Sequence, residues 1–231
     1  MPRLREDLTH PWRVTPEEAE ETQRRLAPLV RLAPLAASGP GAPVLAAGAD
    51  VAYSRDGTRA WAAAVVMDAW MRVVDAAVVA GEPDAPYRPG LLAFREGRLT
   101  VEALLALTSE PGVLFLDGHG VVHERGCGLA SHVGLLFGLP SVGVPKTPFH
   151  AIEASPPPGR GSRIVLTKEW GAEGAALRLK HSSRPVYVSP GNLVDLESAV
   201  ALCLAWSSGR HRVPDPLSAA HTLSVVSRSA G

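Results

Sequence analysis

Apolar residues occur along the chain in short runs, and the polar, Gly and Pro residues between them indicate which runs are strands and which are helices. A helix is predicted from Pro16 to about Val30, because Thr15 is a typical N-cap and Glu18 completes a capping box. Three strand-like runs follow a linker at residues 38–43, and they occupy residues 44–53, 60–68 and 71–80. Their short separations, with an Asp-Gly turn between the first two, predict an antiparallel meander.

The next predicted element is a helix that begins at Leu91 and continues to Leu107. We expect Gly97 to interrupt it, because glycine weakens a helix interior. The interruption would leave Glu96 at a helix end. A glutamate at a helix end is usually solvated, so this position alone does not indicate a function.

The second half of the chain alternates strands and helices. An apolar strand ending at Asp117, a helix at residues 129–138 and a short strand at residues 140–144 predict a parallel pair joined by a right-handed crossover. Runs at residues 163–169, 175–180 and 185–188 are expected to extend the sheet, and helices begin near Asp195 and Pro214. The pattern predicts an α/β fold with a mixed central sheet, in which an antiparallel three-strand meander is followed by parallel strands, flanked by helices.

Composition limits the classes of protein that this chain can be. With 46% apolar residues in 231, residues 1–231 can form one domain with a full core, on which we expect the helix and linker of residues 1–42 to pack. Lys plus Arg equals Asp plus Glu at 23 each, so any contact with nucleic acid must be a local patch. The N-terminus lacks a signal-peptide core, no apolar run approaches the roughly 20 residues of a membrane span, and the two cysteines suggest no disulfide framework. We expect a cytoplasmic protein without membrane contact.

Ionisable side chains concentrate in the apolar segment from Leu114 to Lys146. Its first run is a buried strand that ends at Asp117, and the following Gly118-His119-Gly120 forces a sharp turn. A carboxylate in this position is a candidate metal ligand, although Asp-Gly is also common turn chemistry. Asp50 is a second candidate, because a charge within an apolar strand is costly unless something pairs with it. The alternative for Asp50 is an edge-strand aspartate that faces water.

Zinc is the rival to a carboxylate-held metal. His119, His123, Cys127 and His132 lie in the same segment, and imidazole and thiolate are ligands that zinc prefers. Their spacing fits no common zinc pattern, and His132 lies in a predicted apolar helix. We therefore favour a hard cation with oxygen ligands, and metal dependence would separate this hypothesis from a zinc amidohydrolase.

Tyr87 lies in a loop that two prolines, Pro86 and Pro89, make stiff. A rigid aromatic residue at a loop tip is suited to insertion into a partner. The alternative is a tyrosine that covers the core.

Several segments together resemble the endonuclease V family: Gly48-Ala49-Asp50-Val51, residues 86–96 (PYRPGLLAFRE), Asp117-Gly118-His119-Gly120, Gly143-Val144-Pro145-Lys146 and the late His221. The resemblance covers nearly the whole chain from Asp50 to His221. The second and third segments are specific enough together to make chance a poor explanation.

This resemblance implies an RNase H-like fold and a Mg²⁺-dependent nuclease, with Mn²⁺ able to substitute. It implies recognition of deoxyinosine in DNA and hydrolysis of the second phosphodiester bond 3′ to the lesion by a monomer. The catalytic residues implied are Asp50, Glu96, Asp117, Lys146 and His221, with Asp50 and Asp117 as metal ligands. The substrate-binding residues implied are Tyr87, which acts as a wedge at the lesion, Pro89, Gly90, Gly118 and His123.

Two positions depart from the family pattern. Arg88 stands where the wedge usually has an aliphatic residue, and Asn192 stands where a histidine is more usual. Two other hypotheses are a ribonuclease that acts mainly on inosine in RNA and a catalytically silent binder of altered nucleic acid. The presence of Asp50, Glu96 and Asp117 argues against the silent binder.

Overall fold

The computed structural model of the protein describes residues 2–39, 41–148, 154–169, 171 and 173–230. Eight strands are formed: β1 (Leu45–Tyr53), β2 (Ala60–Asp68), β3 (Val73–Gly81), β4 (Val113–Leu116), β5 (Ser141–Gly143), β6 (Arg163–Thr167), β7 (Glu173–Leu177) and β8 (Val186–Pro190). The α-helices are α1 (Pro16–Leu26), α2 (Leu92–Leu105), α3 (Leu129–Phe137), α4 (Leu196–Ala205) and α5 (Asp215–Ala230). Of the predicted linker at residues 38–43, Pro40 lies outside the described residues.

The strands form one sheet in the order β3-β2-β1-β4-β5-β8-β7-β6. The predicted antiparallel meander is confirmed as β1, β2 and β3, and the predicted parallel crossover is confirmed as β4, α3 and β5. β4 also pairs in parallel with β1. The last three strands extend the sheet as predicted, and they join it in antiparallel pairs. The sheet is therefore mixed, with its parallel strands at the centre.

Apolar side chains cover both faces of the sheet. One cluster packs α2 and α3 against alternate residues of the central strands, with Phe94, Leu114 and Leu116 fully buried. The other packs α4 and α5 on the opposite face around Phe115. In the described part of the chain, no helix has the length and apolar character to cross a membrane.

The predicted interruption of α2 at Gly97 is wrong, because the helix runs without a break from Leu92 to Leu105. Gly97 is needed for a different reason: the ring of Trp12 lies directly on it. A Cβ atom at this position would be 2.3 Å from Cζ3 of Trp12, which is closer than a side chain allows. The glycine therefore lets the N-terminal segment pack on α2. Glu96 is consequently within a helix and not at a helix end.

Two predicted boundaries moved for local reasons. The first helix ends at Leu26 instead of Val30, and a 3₁₀ turn that contains Pro28 follows it. The third strand begins at Val73 instead of Met71, because Met71 has a φ of +60° and forms the turn after Asp68. Neither change moves a candidate site residue.

Gly97→Ala is expected to lower the free energy of unfolding by about 1 to 3 kcal/mol, since overpacking outweighs the higher helix propensity of alanine. Thermal or urea unfolding measures the change. In the Trp12→Ala background, the same substitution should be neutral or stabilising. Equal destabilisation in both backgrounds would show that the contact with Trp12 is not the cause.

Candidate active site

Asp50 and Asp117 lie side by side because β1 and β4 are parallel. The register pairs Ala49 with Leu116, and the next residue on each strand is Asp50 or Asp117. Paired residues on neighbouring strands point to the same face of a sheet, and the strands are about 4.8 Å apart. The two carboxylates therefore lie close together on one face. Asp50 is buried within the sheet, so the alternative of an edge-strand aspartate facing water is wrong.

Helix α5 supplies the hydrogen-bond donors to Asp50. Oδ2 of Asp50 is 3.0 Å from Nδ1 of His221 and 3.0 Å from the hydroxyl of Ser224. The helix can approach this closely because β1 has a glycine, Gly48, where a Cβ atom would lie 2.2 Å from the carbonyl carbon of Pro216. From Gly48 to Asp50 the strand rises about 6.6 Å, and the five residues from Pro216 to His221 rise about 7.5 Å along the helix, which brings His221 level with Asp50.

The pKa of Asp50 is raised from its usual value. Burial is the largest cause, and the neighbouring Asp117 charge is the second. The hydrogen bond from His221 opposes both effects. The surroundings of Asp50 therefore favour the neutral form of its carboxyl group more than water does.

Glu96 reaches the same region from α2. Its Oε1 accepts a hydrogen bond of 2.9 Å from the Tyr53 hydroxyl at the end of β1. Loss of water around the carboxyl is the main cause that raises the pKa of Glu96 to about 8, and the charges of Asp50 and Asp117 raise it further. The charges of Asp50 and Asp117 therefore act on Glu96, and we call these three carboxylates the acidic centre.

Lys146 follows β5 and makes an ion pair with Asp117, with 2.5 Å between Nζ and Oδ2. Both side chains keep solvent contact, at 36% and 25% exposure respectively. The ammonium group of Lys146 therefore offsets the negative charge of Asp117 in part. It also remains accessible to solvent beside the acidic centre.

The donor set fits a magnesium ion better than zinc. Mg²⁺ is bound by one or two carboxylates, with water and substrate oxygens completing the octahedron. Asp50 and Asp117 can provide those carboxylates, because they directly follow the paired residues Ala49 and Leu116 of two adjacent parallel strands. In the described residues no group of three or more His, Cys, Asp or Glu side chains is already arranged around one metal position.

The histidines and the cysteine considered for zinc point to different parts of the structure. His132 is fully buried, and its Nε2 is 2.6 Å from Nε2 of His10. Cys127 is buried, which raises the pKa of its thiol to about 12. Nε2 of His123 is 2.8 Å from the Gly90 carbonyl oxygen. These contacts leave no zinc site among the described residues.

A cavity of about 410 Å³ opens beside Asp117. The five residues expected to bind substrate all line it: Tyr87, Pro89, Gly90, Gly118 and His123. Arg88 lines it as well. Tyr87 is 68% exposed, so the alternative of a tyrosine that covers the core is wrong. The cavity and the acidic centre share Asp117, so a molecule in the cavity reaches the carboxylates.

Several hydrogen-bond donors fix the backbone of Gly90 in the wall of the cavity. The Gly90 carbonyl oxygen accepts hydrogen bonds from Nε2 of Gln23 at 3.0 Å and from the Arg125 guanidinium at 3.0 Å, and it also contacts His123. Gly90 has a φ of +79°, and a Cβ atom there would lie 2.2 Å from Oε1 of Glu124. Only glycine fits this turn, which fixes the loop that carries Tyr87.

Sequence reasoning missed three residues of the site: Ser224, Tyr53 and Gln23. Ser224 was detectable in part, because it lies three residues after His221 and shares its helix face. Tyr53 and Gln23 act through contacts with residues 43 and 67 positions away, which no local pattern reveals.

Asn192 has a structural place away from the acidic centre. It is buried, and its side-chain amide is 3.4 Å from the carbonyl oxygens of Gly134 and Leu139. Its Oδ1 accepts a 3.3 Å hydrogen bond from the Arg31 backbone. The departure from histidine at this position therefore concerns packing of the N-terminal segment on the α3–β5 connection.

The sheet order and a carboxylate pair on adjacent parallel strands define an RNase H-like nuclease. The family model "Endonuclease V" matches residues 26–222, and the chain belongs to the endonuclease V family. It is an endonuclease.

Individual relatives agree with this assignment. Endonuclease V of Methanothrix thermoacetophila is 42% identical over 223 residues, which is 96% of each chain. The crystal structure of endonuclease V from Streptomyces avermitilis has a TM-score of 0.84 at 40% identity and covers 95% of this chain and 96% of that one. The fold is also that of Ciona intestinalis endonuclease V in complex with a 24-mer DNA containing an inosine followed by a ribo-adenosine. That structure has a TM-score of 0.81 at 23% identity and covers 93% and 97% of the two chains.

The raised pKa of Glu96 predicts how stability depends on pH in chelator. Between pH 4.5 and about 8 the folded protein keeps a proton that the unfolded chain releases, so the free energy of unfolding falls as pH rises through this window. Urea unfolding of wild type and Glu96→Gln should show a difference in this fall of more than about 1 kcal/mol. Parallel profiles for the two proteins would contradict a proton on Glu96.

Proposed function

We propose that this endonuclease recognises deoxyinosine in DNA and, with Mg²⁺ or Mn²⁺, hydrolyses the second phosphodiester bond 3′ to the lesion. The observation that carries the proposal is the shared Asp117: it belongs both to the acidic centre and to the wall of a cavity that can receive a base. The inosine-containing DNA bound by the Ciona relative supports the choice of lesion.

Asp50 and Asp117 would hold the metal ion. When bound, the ion would polarise the phosphate and lower the pKa of a water molecule. His221 donates from Nδ1 to Asp50, so in its neutral form Nε2 is a proton acceptor. His221, with 53% of its side chain exposed, would accept a proton from the attacking water. Ser224 keeps Asp50 oriented during this step.

Lys146 would face the scissile phosphate. In the free protein its ammonium is held by Asp117, and a phosphate arriving at the open side meets the same charge. A compact ammonium stabilises developing negative charge as a point charge, without the wide fork of a guanidinium. Metal binding to Asp117 would free the lysine for this contact.

The cavity would receive the extruded base. Flipping a base costs a few kcal/mol and costs least where pairing is already damaged. Gly90 and Gly118 line the cavity, so a base bound there would lie beside the backbone at these two positions. The rigid Tyr87 would occupy the gap left in the stack.

The test uses matched end-labelled DNA and RNA strands with a single hypoxanthine, incubated with Mg²⁺, Mn²⁺ or zinc after chelation and mapped at nucleotide resolution. We expect Mg²⁺-dependent cutting of the DNA at the second phosphodiester bond on the 3′ side of hypoxanthine. Cutting confined to RNA would replace the proposal with the ribonuclease. Cutting supported by zinc alone would defeat it.

Asp50→Asn and Asp117→Asn should each abolish cleavage and leave binding to the hypoxanthine-containing duplex measurable, because asparagine removes a charge that holds the metal and keeps a side chain of the same size. Single-turnover cleavage and a binding titration in chelator measure the two effects. Mg²⁺-dependent cutting by either variant within about tenfold of wild type would remove these residues from the metal site.

Tyr87→Ala should weaken binding to the same duplex by about one to two orders of magnitude, since stacking on an aromatic ring contributes roughly 1 to 3 kcal/mol. Tyr87→Phe is the matched control, and it should bind like wild type because the ring carries the effect. Cleavage by the alanine variant should recover in part at high enzyme concentration. Since the side chain is mostly exposed, thermal stability should not change. Normal binding by Tyr87→Ala would exclude the wedge.

A further inference from the structure

A basic patch lies at the end of the β1–β2 hairpin, outside the cavity. Arg55, Arg59 and Arg228 line a depression of about 520 Å³ whose floor includes Tyr53 and Trp61. All three arginines are exposed. The protein has no net charge, so this patch is a local concentration and not part of a general basic surface.

The arginines of this patch have no carboxylate partner. In the described chain, none of Arg55, Arg59 and Arg228 forms an ion pair, and neither does the adjacent Arg95. Ion pairs are formed elsewhere by Arg5, Arg13, Arg24, Arg72, Arg98, Arg125 and Arg163. One aspartate, Asp56, lies in the hairpin turn, where its Oδ1 accepts hydrogen bonds from Ser54 and Thr58. Its charge offsets one of the four arginine charges, and it forms no ion pair with them in the described part of the chain. The positive charge of the patch is therefore available to a ligand.

Two of the guanidinium groups are held in place by aromatic rings. Cζ of Arg59 is 5.2 Å from the centre of the Trp61 ring, and Cζ of Arg95 is 4.4 Å from the centre of the Tyr53 ring. Arg228 is oriented in a different way, by donating to the Tyr53 carbonyl oxygen at 3.4 Å. A guanidinium stacked on a ring can still direct N–H groups at a planar or tetrahedral anion such as phosphate. Nη1 of Arg95 also donates to the Ala85 carbonyl oxygen at 2.9 Å, which fixes this guanidinium further.

The patch lies on a path from the acidic centre. Tyr53 is three residues beyond Asp50 on β1, which is about 10 Å along the strand. The same tyrosine donates to Glu96. The base cavity lies on the other side, at the end of β4. The carboxylates are therefore between the cavity and the patch.

We propose that Arg55, Arg59, Arg95 and Arg228 bind backbone phosphates of the cleaved strand on the 3′ side of the cut. This inference rests on the proposed function. A strand with its altered base in the cavity and its scissile phosphate at the carboxylates continues toward the hairpin. The patch would hold the downstream product arm, and the cavity would hold the lesion.

The experiment compares binding, in chelator, of hypoxanthine-containing single strands that end either two or ten nucleotides beyond the expected cut. Wild type should bind the longer strand at least about tenfold more tightly, and with a steeper dependence on salt, because each neutralised phosphate adds about 0.7 to the slope for single strands. Arg55→Gln/Arg59→Gln should lose most of this difference. Arg55→Lys/Arg59→Lys should keep the salt slope, since the charge is retained.

The matched control is Arg5→Gln/Arg24→Gln, which removes two exposed arginines that are already in ion pairs, and it should behave like wild type. A glutamine variant that keeps the full length effect overturns the proposal. So does a length effect that arises only from extension on the 5′ side. Failure of the proposed function has a separate signature, which is absence of Mg²⁺-dependent cutting of the hypoxanthine strand by wild type.

Discussion

Parallel pairing of β1 with β4 is the constraint on which the site depends, because it forces two carboxylates together in a partly dry environment. Two like charges on adjacent strands repel, and burial removes the water that would screen them. Hydrogen-bond donors from α5 and the ammonium group of Lys146 reduce this repulsion. The pKa values of Asp50 and Glu96 are nevertheless raised. The divalent cation that we propose would lower the remaining repulsion between these carboxylates.

The donors from α5 reach Asp50 because the backbones of neighbouring elements approach each other closely. α5 meets β1 at Gly48, and the connection after β4 meets β8 at Gly120, where a Cβ atom would lie 1.9 Å from the Pro190 carbonyl oxygen. At each contact a Cβ atom would clash with backbone atoms and force the two elements apart. The spacing of the functional groups is therefore set by residues that have no functional groups.

The same acidic centre explains how recognition and chemistry are divided. Asp117 contacts both the cavity and Lys146, so in the proposed function the substrate's base and its phosphate would be bound on two sides of one residue. The Tyr87 loop is fixed through the Gly90 carbonyl oxygen, which collects donors from the N-terminal helix and from the segment after β4. Rigidity of the loop and position of the carboxylates thus depend on the same packing.

The sequence by itself determined the elements and the identity of the acidic residues. The meander and the parallel crossover follow from local signals, namely alternation of apolar residues and turn glycines. Local signals made Asp50, Asp117 and Tyr87 candidates with an alternative for each, and the resemblance to endonuclease V added Glu96, Lys146 and His221. Only the tertiary structure decided what depends on distant contacts. Gly97 was predicted to break a helix, and the structure shows that it makes room for Trp12. Tyr53, Ser224 and Gln23 donate hydrogen bonds to groups that are distant in sequence and that the fold brings close. Periodicity reports which side of an element is buried, and it carries no information about which residue of another element lies against that side.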